Sequence, residues 1–136
     1  MIFWTGTGEV HINYIPRKPT PYGIEMKTLA CASARIVLQM EMVEGRELDA
    51  TKKYRDQVGA STATTLRLCE PWAGSGRIVV GDAWFGSCNT AEWLMDVLGL
   101  YCILAVKTGH RGFPKQELIR QIRPTRYSSA FKKVTV

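Results

Sequence analysis

The chain has 136 residues, of which 46% are hydrophobic and 22% charged, and its formal net charge is +6. It is long enough for one globular domain with a core and too short for two. No apolar run reaches the length of a membrane span, and the apolar start Met1–Trp4 has neither the basic flank nor the cleavage site of a signal peptide.

In chain order, Phe3 and Trp4 open the sequence with nothing before them to pack against, and Gly6 and Gly8 flank a turn. Pro16, Pro19 and Pro21 then fall within six residues, which excludes helix and most strand pairing. This reads as an extended basic connector on which Arg17 and Lys18 could grip a phosphate. Gly23–Ala32 and Arg35–Glu44 read as two strands of an antiparallel hairpin, turned at Ala32–Ala34. Leu38 to Met42 alternates apolar and polar, the mark of a half-buried strand. Residues 46–59 are charged and read as a solvated loop or a short surface helix. A helix begins near Ser61, with Ala63, Leu66 and Cys69 at helical spacing, and Pro71 stops it; three threonines weaken it.

Ile78–Val80, bounded by glycines, reads as a short buried strand ending at Asp82. Asn89 and Glu92 resemble a capping box, Trp93, Leu94, Val97 and Leu98 form one apolar face, and Gly99 sits where a C-terminal cap belongs. Leu100–Val106 is a second buried strand. Strand, helix and strand within about thirty residues make a βαβ unit with parallel strands. Chemistry in open α/β sheets collects at the carboxyl ends of strands, which makes Asp82 the candidate site residue, although Asp is also a common turn former. Trp84 and Phe85 shape the surface beside it. Residues 107–115 form a glycine-punctuated basic loop, and Gln116–Ile122 a short helix.

Residues 107–136 carry eight basic side chains against Glu117 alone, so the whole positive excess lies there. Such a segment suits nucleic-acid phosphates, or is a solvated tail. Cys31, Cys69, Cys88 and Cys102 are irregularly spaced with no C-x-x-C pair, and His11 and His110 are isolated, so no zinc-site pattern is present. Cysteines within apolar segments suggest reduced, buried thiols in an intracellular protein.

Four motifs in order resemble the piggyBac-type transposases and their domesticated relatives. They are Ile15-Pro16-Arg17-Lys18-Pro19 with Tyr22–Lys27; Thr62–Leu68; Asp82-Ala83-Trp84-Phe85-Gly86-Ser87; and Leu100-Tyr101 with Val106–His110 and Phe113-Pro114-Lys115. The resemblance covers residues 14–115. It implies an α/β, incomplete ribonuclease-H-like fold, an antiparallel hairpin plus a parallel strand-helix-strand unit, with the first strand largely missing. It implies a partial transposase domain over 1–115 and a basic tail over 116–136, the tail being a possible start of the family's insertion region.

The family chemistry is metal-dependent DNA cleavage and strand transfer by three aspartates holding two Mg ions. Hard divalent cations prefer oxygen ligands, and a metal pair stabilises both the attacking and the leaving oxygen. Asp82 matches the second aspartate, as catalytic residue and metal ligand. The first is expected just upstream of Met1 and the third downstream, so the chain by itself is expected to be inactive and to hold Mg unstably. The basic residues Arg17, Lys18, Lys107, His110, Arg111 and Lys115 are the expected DNA-contacting set. DNA as partner, a nuclear location and a homodimer of the full-length family follow from the same resemblance. The alternative reading is a domesticated, non-catalytic DNA-binding or interaction remnant.

Overall fold

The computed structural model describes residues 2–3, 12–110 and 112–121. The chain forms three small sheets and four helices among these residues. Strand β1 (Ile2–Phe3) and strand β2 (Ile12–Tyr14) pair antiparallel with β3 (Tyr22–Ile24), which lies between them. The proline segment is thus not an extended connector. It is the loop of the β2–β3 hairpin, closed where Ile15 N–H donates to the Pro21 carbonyl (2.8 Å) and Lys18 N–H to the Ile15 carbonyl (3.1 Å). Proline removes donors inside a ladder but is compatible with the turn between two strands. Tyr14 and Tyr22 pack ring against ring across the mouth of this loop, 4.9 Å between centroids.

The single strand expected over Gly23–Ala32 divides at Glu25 into β3 and β4 (Met26–Cys31). Strand β4 pairs antiparallel with β5 (Ile36–Met42), and a bulge after Leu29 leaves Leu38 unmatched. The turn falls at the expected place, closed by Arg35 N–H to the Cys31 carbonyl (2.8 Å). The alternation of β5 reads the wrong way at its centre. Met40 is 59% exposed, whereas Glu41 is half-buried. The cause is Arg67, whose guanidinium bonds both oxygens of Glu41, at 2.9 and 2.6 Å. A two-pronged charge pair draws the polar side of the strand inward.

Helix α1 (Arg46–Thr51) is the short surface helix. Helix α2 (Ala60–Cys69) is the centre of the core, and a 3-10 turn over Glu70–Trp72, carrying Pro71, ends it. Ala63 and Leu66 are fully buried and Cys69 nearly so. The three threonines do not break the helix, because their hydroxyls are satisfied locally or by a neighbour. Thr65 donates to the Ser61 carbonyl (2.7 Å) and Thr62 bonds Thr90 (2.8 Å). Burial pushes the Cys69 thiol up to about 11. All four cysteines are free, but only Cys69 is buried.

Strand β6 (Ile78–Gly81), helix α3 (Cys88–Asp96) and strand β7 (Tyr101–Leu104) form the parallel crossover, with Ile78 beside Tyr101 and Gly81 beside Leu104. Leu94, Leu98 and Leu100 join Ala63, Leu66 and Cys69 in the core, with Val79, Cys102 and Leu104 packed against them. Truncating a fully buried leucine such as Leu66 or Leu94 to alanine costs about 2–5 kcal/mol in a site of this kind. The two strands are half-buried rather than buried. Ile78, Val80, Tyr101 and Ile103 are 60–74% exposed, because no element among the described residues covers that face. Val97, expected on the apolar face of α3, is also exposed at 49%.

The α3 cap lies at Ser87, two residues before Asn89: its hydroxyl accepts from Thr90 N–H (2.9 Å). Gly99 ends the helix with φ +60°, as expected. Helix α4 (Lys115–Gln121) follows the basic loop. No helix among the described residues is long and apolar enough to cross a membrane.

The hydroxyls of Thr62, Thr90 and Ser87 form one buried chain that ties α2 to the start of α3. Thr90→Val keeps the shape, strands the Thr62 hydroxyl and leaves Ser87 only the backbone N–H that it caps. It is expected to lower stability by about 1–3 kcal/mol, read as a lower urea midpoint with unchanged slope. An unchanged midpoint would show that the chain of hydroxyls contributes nothing.

Candidate functional site

The chain must leave β6 at Gly81 and reverse into α3 within six residues. Asp82 begins that turn. Its Oδ1 accepts from Trp84 N–H (2.8 Å), and its carbonyl accepts from Gly86 N–H (2.8 Å). Asp82 therefore shapes the turn with one carboxylate oxygen, while Oδ2 has no protein partner among the described residues. The side chain is exposed. Gly86 is where the turn meets the end of β7: a Cβ there would collide with the Ala105 carbonyl oxygen and lie 3.1 Å from that of Asp82. Ala105 N–H in turn donates to the Gly81 carbonyl (3.0 Å).

The turn faces a cleft of about 580 Å³. It is lined by Asp82, Trp84 and Phe85 from the turn, by Arg17 and Lys18 from the β2–β3 loop, and by Lys27 from β4. Two of the six residues expected to contact DNA, Arg17 and Lys18, are thus brought to Asp82 across more than sixty positions of sequence. Both are exposed and make no ion pair among the described residues.

Lys27 was not legible as a site residue. Its ammonium sits 3.4 Å from the centre of the Trp84 ring and 5.9 Å from that of Phe85, and it pairs with Glu25 at 2.7 Å. With its side chain only 11% exposed, it clamps the turn after β6 to β4. Trp84 and Phe85 meet edge to face at 4.8 Å. The signal in the sequence was Lys27 within the Tyr22–Lys27 motif, but its partner lies 57 positions away.

Lys107, His110 and Lys115 do not line the cleft. They follow β7. His110 N–H donates to the Lys107 carbonyl (2.8 Å), and Phe113 N–H to that of His110 (3.0 Å), which folds the loop on itself. Lys107 and Lys115 are exposed; His110 is half-buried, with Nδ1 buried and without a partner. Arg111 lies outside the described residues.

A magnesium pair needs several carboxylate oxygens brought together. No group of three His, Cys, Asp or Glu side chains is close enough to hold a metal ion among the described residues. Glu25 shares the cleft with Asp82 but is held by Lys27. One free carboxylate oxygen does not hold two hard cations, which take several oxygen ligands each. The described residues therefore do not fit the metal pair.

The family model described as Transposase IS4 matches residues 4–135. Among solved structures, the cryo-EM structure of the piggyBac transposase synaptic complex with hairpin DNA superposes with a TM-score of 0.69 at 25% sequence identity. The match covers 84% of this chain and 23% of that one, so the chain spans about a quarter of the length of the transposase it resembles. No curated protein matches.

Because Gly86 has no room for a side chain, Gly86→Ala is expected to lower the melting temperature, with a cost of about 1–3 kcal/mol. Gly109→Ala, with nothing near its Cβ, is the control and is expected to melt as the wild type does. Equal melting of the two variants would show that the turn yields.

Proposed function

The chain belongs to the Transposase IS4 family in its piggyBac type, and on that premise we propose that it is a stretch of a transposase catalytic domain that grips DNA beside Asp82. The observation that supports this most directly is the cleft itself. It brings two unpaired cations together with a carboxylate at the carboxyl end of a parallel strand. Phosphate is attracted by Arg17 and Lys18, and the scaffold holds Asp82 where a bound backbone passes.

In this reading the hairpin and the parallel crossover are part of a ribonuclease-H-like core. Asp82 stands where the family keeps its second catalytic aspartate, and DNA in the nucleus is the partner. Mg is the family's metal, but the described residues do not supply its site. Metal-dependent cleavage is therefore not assigned to this stretch by itself. A second reading is a non-catalytic DNA-binding role that uses the two unpaired cations of the cleft alone.

Both readings predict binding that weakens steeply with salt. Replacing Arg17 and Lys18 together by alanine is expected to weaken duplex or single-strand binding. It should also flatten the slope of log K against log salt by about 1.5–2, two phosphate contacts' worth. Fluorescence anisotropy across a salt series measures both. A double variant that binds with the wild-type slope removes the cleft from the DNA interface; a wild type that binds no DNA at low salt removes the DNA reading altogether.

A further inference from the structure

We propose that the cleft takes an unpaired nucleotide, its base stacked on the Trp84 indole and its phosphate held by Arg17 and Lys18. This rests on the DNA reading above and names the form of DNA that the cleft accepts. Three observations carry it.

The first is size. A cleft of about 580 Å³ lies within the roughly 300–1,000 Å³ of sites that enclose one small ligand. It has room for one flipped or terminal nucleotide.

The second is the ring. Trp84 is 42% exposed although Lys27 covers one face and Phe85 abuts it. A large aromatic left open on a cleft wall between cations is a stacking platform, and every base has a face to offer it. Inside a duplex those faces are covered by neighbouring base pairs, so along a strand the ring is open to an unpaired base, and a duplex offers it at most the face of an end pair. The ring is already ordered by the Lys27 ammonium and the Phe85 edge, so little rotamer freedom is lost when a base arrives.

The third is the distribution of charge. Lys27 is committed to Glu25 and Trp84, which leaves Arg17 and Lys18 as the cations of the cleft free to meet phosphate among the described residues. Asp82, on the turn beside Trp84, repels phosphate. This favours phosphate toward the β2–β3 loop that carries Arg17 and Lys18, and base toward the turn after β6. A long duplex rail needs more cations in line than this.

The test compares a short oligothymidylate with a blunt duplex of the same length at low salt, by anisotropy, on the full chain and its variants. Trp84→Ala is expected to weaken single-strand binding roughly 5- to 150-fold, with duplex affinity unchanged, and Trp84→Phe to restore most of the loss. Tryptophan fluorescence gives a second reading that does not depend on the alanine variant folding. Single strand should quench the wild type, and the quench should shrink in Trp84→Phe. Equal losses on single strand and duplex, or no loss on either, overturn the inference and leave the DNA reading standing. A wild type that binds neither overturns both.

Discussion

Against the Ala105 carbonyl, position 86 has room for a hydrogen and nothing larger. That constraint governs the site. A parallel crossover must turn away from its first strand and return beside it. Here the turn is pressed onto the end of the second strand, so the carboxylate that follows the first cannot drift. The Asp82 carbonyl bonds Gly86 N–H and its Oδ1 bonds Trp84 N–H, both at 2.8 Å. Ser87 then caps α3 at once, and its hydroxyl continues through Thr90 to Thr62 on α2. The position of Asp82 is thereby tied to the most deeply buried helix of the chain.

A second framework holds the hairpin to the helices, and it is ionic. Arg67 on α2 spans Glu41 with two bonds and reaches the Lys53 carbonyl (2.6 Å) with a third. Lys52 meets Asp49 at 2.7 Å and Glu44 at 2.9 Å, and donates to the Met42 carbonyl at 2.8 Å. Burial works against the Lys52 charge, but the hydrogen bonds to Asp49 and Glu44 outweigh it and hold the ammonium above its ordinary range. These groups are half-buried, so each pair is worth more than the near-zero of a surface pair and less than its distance suggests. Glu70 is different in kind. Lys53 and Tyr54 hydrogen-bond it and pull its carboxyl down, yet its Lys53 partner is 60% exposed, so the pair adds little to stability.

Much of the element order was legible because it rests on local rules. The helix that Pro71 ends, the short strand before Asp82 and the glycine cap at Gly99 all depend on residues within a turn of each other. What was not legible depends on distant partners. The proline segment is a hairpin loop because Tyr14 pairs with Tyr22, and a rule about proline cannot see a pairing. Met40 turns outward because Arg67, on another element, takes Glu41. Asn89 and Glu92 imitate a capping box, but Ser87 is nearer the end of the pinned turn and takes the role. At the site, Asp82 was readable from its strand and Arg17 and Lys18 from their stiff loop. Their shared cleft was not, nor was Lys27, whose partner Trp84 lies in the turn after β6, 57 positions away. The basic residues after β7 fold into a loop of their own, which charge counting cannot separate from the cleft.

The way these supports are divided explains why Lys27 matters to the site. Parallel strands are ordinarily covered on both faces. Here one face of the β6–β7 pair packs on α2 and α3, and the other leaves Val80 74% exposed among the described residues. The turn after β6 is thus braced from the core side by Gly86, Ser87 and the hydroxyl chain, and from the cleft side by the Lys27 ammonium over Trp84. Neither brace substitutes for the other. The first sets where the backbone of Asp82 lies. The second sets where the indole lies, next to the carboxylate that the backbone N–H of the same residue holds. A half-buried cation on β4 thus fixes the aromatic side of the cleft, while the backbone of the turn fixes its acid.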